Sequence, residues 1–420
     1  MKRMLSAALA WFCASMLAAG QFATPEPARG WKTAEGKPFQ ASLLSFDGTT
    51  VLLRMPNGSR AQAPLGKLSA EDQAYVAEWQ KKQPIKVVLP DVVGVETAQI
   101  RTEVVSEDAA AEKFVYRTQH FEFESQGKFT QTLLREVARN FEATYELVKA
   151  LPWGIEPKPP SGTHFRARLL KNQEAYASAG GPPNSTGFYS SRSEMFMIPF
   201  ENIGVKVVGK SYAKDEDFDY GTMVHELTHQ MMHFWLNSLP QWVVEGTAEY
   251  TSTLPLRNGK FRVSAAKGAL KNYIDHLKKR IVGGVPDPYP LDQLFSVTNE
   301  QWSEILAQDP NASRRLYFTS YLLVYYFMHL DSKGEGQLFT RYFREVGETR
   351  KAIEEYRKAL EEFKKQPGEM KHPEPPAVLA SRETRAEFQK KTLQILLDGR
   401  SEAELMKQIR AAYAKLAIRL

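Results

Sequence analysis

The sequence predicts an α+β protein in which a small β module precedes a larger domain of mixed sheet and helix. Residues 30–82 contain short apolar runs separated by turn signals, of which Asn57-Gly58 is the strongest. From Phe114 onward strand and helix patterns are mixed, and from Tyr220 onward helical spacing dominates. With 43% hydrophobic residues over 420 positions, the chain has enough apolar material for two or three domains.

The balance of charge argues against a nucleic-acid partner. The chain has 55 Lys and Arg against 49 Asp and Glu, a formal net charge of +6, and the basic residues are scattered. No stretch after the N-terminus is apolar enough to predict a membrane span. We therefore expect no nucleic-acid partner and no integral membrane span.

Residues 1–20 have the features of a signal peptide. Lys2 and Arg3 precede an uncharged apolar run over residues 5–17, and small residues lead up to Gly20. We expect an exported protein, periplasmic or secreted after cleavage near Gly20; the alternative is a buried N-terminal helix. Cleavage would also remove Cys13, the single cysteine of the chain, so the mature protein would have no disulfide and no thiol chemistry.

The β module is predicted over residues 29–82. Residues 39–44 and 51–55 are strand-like, and Asp47-Gly48 supplies the turn between them. Ser69 is a plausible N-cap for a final helical turn, since Asp72 follows at the third helical position. No catalytic constellation occurs in this module.

Three further segments follow from changes in pattern. Residues 83–112 are expected to be a linker with strand character, residues 113–350 a catalytic domain, and residues 351–420 a C-terminal helical extension. The charge pattern of that extension fits either a cap on the domain or a docking surface for a partner.

Within the larger domain, four elements are predicted most clearly. Residues 116–123 alternate as a strand, and residues 187–189 and 195–198 are expected to form a strand pair. Asn258-Gly259 indicates a hairpin.

One motif indicates chemistry: His225-Glu226-Leu227-Thr228-His229. It lies in an apolar run without Pro or Gly, and in a helix the two histidines, four residues apart, can reach one metal ion. Zn²⁺ bound by two histidines and one carboxylate keeps a fourth position for water. Glu226 would then act as the general base for that water. The alternative is an ordinary helix whose histidines only make hydrogen bonds.

A second helix is expected to begin at Leu239-Pro240 and to read Trp242-x-x-Glu245-Gly246-x-Ala248-Glu249. This segment resembles the second helix of the gluzincin zinc peptidases, which carries their glutamate ligand. The resemblance implies that Glu245 is the third ligand and that Glu249 is an outer acid that holds a ligand histidine. Glu249 is farther from His229 along the chain than Glu245 is, and by that gap alone it would fit thermolysin better. It therefore stays open as the alternative ligand.

Tyr317 is the candidate donor for a developing oxyanion. The segment Tyr317-x-x-Ser320 resembles one in gluzincin-like families, where the tyrosine points at the reacting oxygen. The alternative is a core aromatic, since Tyr321, Tyr325 and Tyr326 follow at helical spacing. His233 is expected to pack rather than to bind metal.

Two broader resemblances complete the prediction. Residues 112–345 resemble a family of exported bacterial proteins of unknown function with a gluzincin-like (peptidase MA-like) core. That resemblance implies a small mixed sheet and a helical zinc-binding subdomain. Residues 29–82 contain Arg29-x-Trp31, Gly36, Ala41, Gly48, Val51, Gly58 and Leu68-Ser69-x-x-Asp72. On these residues the segment resembles the SH3-like barrel of endocytic adaptors, which implies a binding or spacing module with a cell-envelope partner. The alternative is a β extension packed on the next domain. The resemblance of residues 112–345 depends on the segments Thr118-x-His120-Phe121, Gly187-Phe188-Tyr189, the zinc motif, Trp242-x-x-Glu245-Gly246, Pro290-Leu291-x-x-Leu294 and Tyr317-x-x-Ser320.

Together these observations predict an exported zinc peptidase acting on a peptide or protein substrate. An endopeptidase is favoured, because no segment matches the Gly-x-Met-Glu-Asn pattern by which zinc aminopeptidases hold a free N-terminus. Two alternatives stay open: a catalytically inactive zinc-binding scaffold protein of the cell envelope, and a zinc hydrolase of another amide or ester bond. Glu226 favours an enzyme, because a purely structural zinc site has no need of a base.

Overall fold

A computed structural model describes residues 27–46, 48–83, 87–183, 185–209, 211–216, 218–280, 285–331, 336–365 and 371–420. It shows a mixed α+β fold, as predicted, divided into two units after residue 85. The predicted signal peptide lies outside the described residues, so export stays a prediction. None of the described helices is long and apolar enough to cross a bilayer.

The first unit is an antiparallel sheet followed by a helix. Its four strands lie in sequential order across the sheet. Trp31, Ala41, Val51 and Leu68 are buried in its core. The elements are β1 (Arg29–Lys32), β2 (Pro38–Phe46), β3 (Thr50–Arg54), β4 (Arg60–Pro64) and α1 (Ala70–Lys82).

Asp72 ties this helix to the sheet. The predicted N-cap is confirmed, because Ser69 Oγ accepts the Asp72 N–H at 3.2 Å. The buried Asp72 carboxylate accepts the Lys32 N–H at 2.7 Å and pairs with the Arg29 guanidinium at 2.9 Å. The helix has 13 residues rather than the single predicted turn. It is longer because Val76 and Trp79, one turn apart, are buried against the sheet.

The second unit contains three sheets and most of the helices. Its strands are β5 (Val92–Gly94), β6 (Glu103–Asp108), β7 (Lys113–Arg117), β8 (Phe121–Ser125), β9 (Phe165–Leu170), β10 (Phe188–Ser190), β11 (Met195–Pro199), β12 (Val205–Val208), β13 (Ser211–Lys214), β14 (Leu256–Arg257) and β15 (Lys260–Arg262). Its helices are α2 (Gln131–Ala150), α3 (Gln173–Ser178), α4 (Gly221–Met231), α5 (Gln241–Thr253), α6 (Ala266–Arg280), α7 (Leu291–Leu294), α8 (Asn299–Gln308), α9 (Pro310–His329), α10 (Gln337–Lys365), α11 (Ala377–Ala380), α12 (Arg385–Leu397) and α13 (Glu402–Ala414).

A six-stranded mixed sheet organises this unit, in the order β10-β11-β9-β8-β7-β6. β9 runs parallel to both of its neighbours, and the other pairs are antiparallel. β10 and β11 form the predicted strand pair, with Tyr189 opposite Phe196. The predicted hairpin at Asn258-Gly259 joins β14 to β15, and both turn residues have positive φ, as a type I′ turn requires.

The prediction of one continuous strand over residues 116–123 is wrong, because the segment belongs to two strands, β7 and β8. A tight turn separates β7 from β8 and is closed by the Thr118 N–H to the Phe121 carbonyl at 2.9 Å. The buried Glu142 carboxylate on α2 holds this turn, since it accepts the Thr118 hydroxyl at 2.6 Å and the His120 N–H at 3.0 Å. Periodicity cannot reveal such a turn, because its stabilising partner is distant in sequence.

Two helix boundaries do not follow from apolar spacing alone. α4 ends at Met231 and gives way to turns, whereas the apolar run continues to Leu236. α9 begins at Pro310, because Asp309 caps it by accepting two backbone N–H groups at 2.9 and 3.0 Å.

The C-terminal helices belong to the same unit as the sheet. The boundary predicted at residue 350 falls inside α10, which is continuous. Leu396 on α12 and Tyr413 on α13 are fully buried in the main core. Tyr413 also donates its hydroxyl to the Leu322 carbonyl on α9 at 2.8 Å.

Candidate metal centre

Three side chains of ligand type meet between α4 and α5. His225 and His229 are four residues apart on α4, and Glu245 lies on α5. The two Nε2 atoms are 3.1 Å apart. Glu245 Oε2 lies 3.3 Å from His225 Nε2 and 3.4 Å from His229 Nε2. This group can hold a metal ion.

The three atoms are spaced about as closely as the ligands of one tetrahedral metal ion. Ligands about 2.0–2.1 Å from a tetrahedral zinc ion are separated from one another by about 3.3–3.4 Å. Two polar atoms of the group, Glu245 Oε2 and His229 Nδ1, are buried without an aligned hydrogen-bond partner among the described residues. Buried polar atoms are rarely left in that state, so Glu245 Oε2 in particular is available for an ion.

The electrostatics of the group favour a cation. Burial acts to raise the pKa of Glu245, but His229 and His225 overcome it, and the pKa lies well below its usual range. For His225, burial acts to lower the pKa, yet contacts with Glu245 and Glu249 hold it well above its usual value. The negative potential that favours a proton on His225 equally favours a divalent cation between these side chains.

Glu249 approaches the other side of His225. Its Oε1 lies 3.4 Å from His225 Nδ1, whereas the Nε2 atom faces Glu245. The structure therefore places Glu245 at the metal-facing nitrogens and Glu249 behind the ring. In that position Glu249 can accept the Nδ1 proton and select the tautomer whose Nε2 is free for a metal.

The helices α4 and α5 are held together by a buried hydrogen bond between them and by an arginine of α12. Thr228 and Thr251 share a buried hydrogen bond at 2.7 Å between their hydroxyls. The α4–α5 connection is held from α12, where the Arg385 guanidinium donates to the carbonyls of Leu236 and Leu239 at 3.4 and 3.1 Å. These contacts fix the separation between the histidines and Glu245.

Glu226 faces the sheet edge beside this group. Its Oε2 accepts the backbone N–H of Tyr189 on β10 at 2.9 Å. β10 pairs only with β11 among the described strands, so it is an edge strand of the sheet. The structure therefore places the predicted base between the ligand helix and a strand edge.

Tyr317 lies over the other side of the site. Its ring centroid is 6.4 Å from that of His225, and Trp302 packs edge-on against it at 5.9 Å. Burial, together with the charges of Glu245, Glu249 and Glu226, keeps its pKa far above its usual value. The Tyr317 hydroxyl is therefore protonated and can donate a hydrogen bond.

His233 is not part of the ligand group, as predicted. Its Nδ1 lies 2.7 Å from the Tyr189 hydroxyl. Sequence reasoning missed two residues of this region, Tyr189 and Trp302. Tyr189 lies in the segment Gly187-Phe188-Tyr189 of the family resemblance, but no local pattern assigns a role to Tyr189 or Trp302, because their contacts depend on elements distant along the chain.

No protein-family model matches the chain, and no curated protein matches it. The function of the site is therefore inferred from its own geometry and chemistry.

Proposed function

We propose that this protein is a zinc peptidase of the gluzincin type, in which His225, His229 and Glu245 hold the metal. The observation that carries the proposal is the triangle of Nε2, Nε2 and Oε2 atoms, with sides of 3.1–3.4 Å. Zinc bound by three such ligands supplies a Lewis acid and lowers the pKa of a bound water to about 7. A structural zinc site would use a fourth protein ligand, and the described group contains three.

Glu226 has the role of general base in this proposal. Its carboxylate takes a proton from the water that attacks the carbonyl carbon of the scissile bond. It then delivers that proton to the leaving amine nitrogen. The Tyr189 N–H holds one oxygen of this carboxylate, so the group enters the reaction already oriented.

Tyr317 and the edge of β10 complete the proposed machinery. The protonated Tyr317 hydroxyl donates a hydrogen bond to the oxygen on which negative charge develops. An extended peptide would bind along β10, the edge strand of the sheet, through backbone groups other than the Tyr189 N–H, which Glu226 already accepts. This mode of binding requires no free N-terminus, which favours an endopeptidase.

The first unit is proposed as an SH3-like module that tethers or spaces the enzyme at the cell envelope. Its support is the four-stranded antiparallel order and the burial of Trp31, Ala41, Val51 and Leu68, which are among the residues on which the resemblance depends. With residues 1–20 as a signal peptide, the enzyme would act outside the cytoplasm.

The proposal is tested by zinc binding and peptide cleavage measured side by side. Glu226→Gln should bind zinc like the wild type and should cleave a peptide mixture at least about 100-fold more slowly. Glu174→Gln, an exposed substitution on α3, is the matched control and should cleave normally. Zinc binding without cleavage by the wild type would favour the inactive scaffold. Failure to bind zinc would overturn the proposal altogether.

A further inference from the structure

α4 presents a second polar face to the six-stranded sheet, separate from its two histidines. Glu226, Gln230 and His233 are spaced at i, i+4 and i+7, which places them on one side of the helix and its following turn. Gln230 Nε2 donates to the Arg166 carbonyl on β9 at 2.9 Å. Glu226 and His233 both contact Tyr189 on β10.

Tyr189 joins the two ends of this face through different groups. Its backbone N–H donates to Glu226 Oε2 at 2.9 Å, and its hydroxyl lies 2.7 Å from His233 Nδ1. Burial raises the pKa of the Tyr189 hydroxyl, and burial also lowers the pKa of His233. Both groups are therefore neutral, and the tautomer of His233 sets which of them donates the hydrogen bond.

We propose that Tyr189 and His233 are positioning residues for the Glu226 carboxylate. The inference rests on the proposed function, in which Glu226 is the general base. β10 has three residues and is bonded to one neighbouring strand, so it is prone to local opening. The bond from the Tyr189 hydroxyl to His233 anchors β10 on α4. That anchor keeps the Tyr189 N–H on Glu226 and restricts the carboxylate to one orientation.

The anchor can be tested without any substrate by hydrogen exchange. In protein labelled with ¹⁵N-tyrosine, the Tyr189 amide signal is identified as the one that Tyr189→Phe removes. We expect this amide to exchange about tenfold faster in His233→Ala, because the lost hydrogen bond lets β10 open more often. His233→Asn, whose side-chain amide can accept or donate in place of Nδ1, should restore slow exchange. His276→Ala, exposed on α6, is the control and should change nothing.

The catalytic consequence is measured separately in zinc-loaded protein. Tyr189→Phe and His233→Ala should lower kcat by about 10- to 100-fold and leave KM and zinc affinity within about twofold of wild type. His233→Asn should recover most of kcat. Melting temperatures near that of the wild type would exclude unfolding as the cause.

The outcomes separate this inference from the proposed function. Unchanged exchange of the Tyr189 amide in His233→Ala overturns the anchor, whether or not the protein is a peptidase. Faster exchange with unchanged kcat in an active enzyme overturns the positioning role and leaves a structural one. If the wild type cleaves nothing, the proposed function fails, and the exchange result alone decides whether the anchor exists.

Discussion

Replacing Gly246 with alanine would probe the contact that brings Tyr317 to the candidate metal centre. Gly246 follows Glu245 on α5, where that helix crosses α9. A Cβ added there would lie 2.5 Å from the Ser320 carbonyl oxygen and 2.8 Å from Val324 Cγ2. A backbone oxygen cannot rotate away, so α9 has to retreat by about 1 Å to restore ordinary contact near 3.4 Å.

The expected cost follows from two opposing effects. Overpacking of this kind destabilises by about 1–3 kcal/mol. Alanine in place of glycine inside a helix recovers up to about 1 kcal/mol. Gly268, exposed on α6 with open space around it, is the matched control. Gly268→Ala gains the helix preference of alanine without any overpacking. The difference in free energy of unfolding between the two variants should therefore equal the packing cost, about 1–3 kcal/mol.

The assay combines urea denaturation with peptide cleavage. Tyr317 lies one turn before Ser320 on α9, so a shift of about 1 Å at the crossing moves its hydroxyl by a similar distance and can lower kcat by up to about 100-fold. Gly268→Ala should leave kcat unchanged. If Gly246→Ala were as stable as Gly268→Ala, the two helices would not be in close contact at this crossing, and the reasoning would be refuted.

Three further predictions follow from named contacts. Glu245→Ala should weaken zinc binding more than Glu249→Ala in a chelator competition, because only Glu245 faces both Nε2 atoms; the reverse order would make Glu249 the ligand. Arg385→Ala should lower the free energy of unfolding by about 1–3 kcal/mol by leaving two carbonyls of the α4–α5 connection unpaired. Lys391→Ala on the exposed face of α12 should have no effect in the same urea titration. Burial lowers the pKa of His329 from 6.5 to about 4, so its contribution to stability is complete above pH 6.5 and is lost as pH falls towards 4. Between pH 7 and 5 the wild type should lose about 2 kcal/mol more than His329→Gln, and equal losses would contradict neutral burial of this ring.

Some elements were predictable because their signals are local. The spacing of His225 and His229 places both on one helix face whatever the surrounding fold. The Asn258-Gly259 hairpin and the Ser69 cap depend on backbone conformations and hydrogen bonds within a few residues. Elements that depend on distant partners were not predictable, such as the turn held by Glu142 on α2.

The sequence by itself determined the coarse α+β class, the two-histidine helix face, and the second helix that carries two candidate glutamates. Only the tertiary structure decided which glutamate faces the histidine Nε2 atoms, because that depends on how α5 crosses α4 and α9. It also decided what holds Glu226, since Tyr189 is 37 residues away along the chain. Helical periodicity is a property of neighbouring residues. The packing of separate elements depends on close contacts between residues far apart in sequence, and the periodicity of a segment does not predict which of them meet.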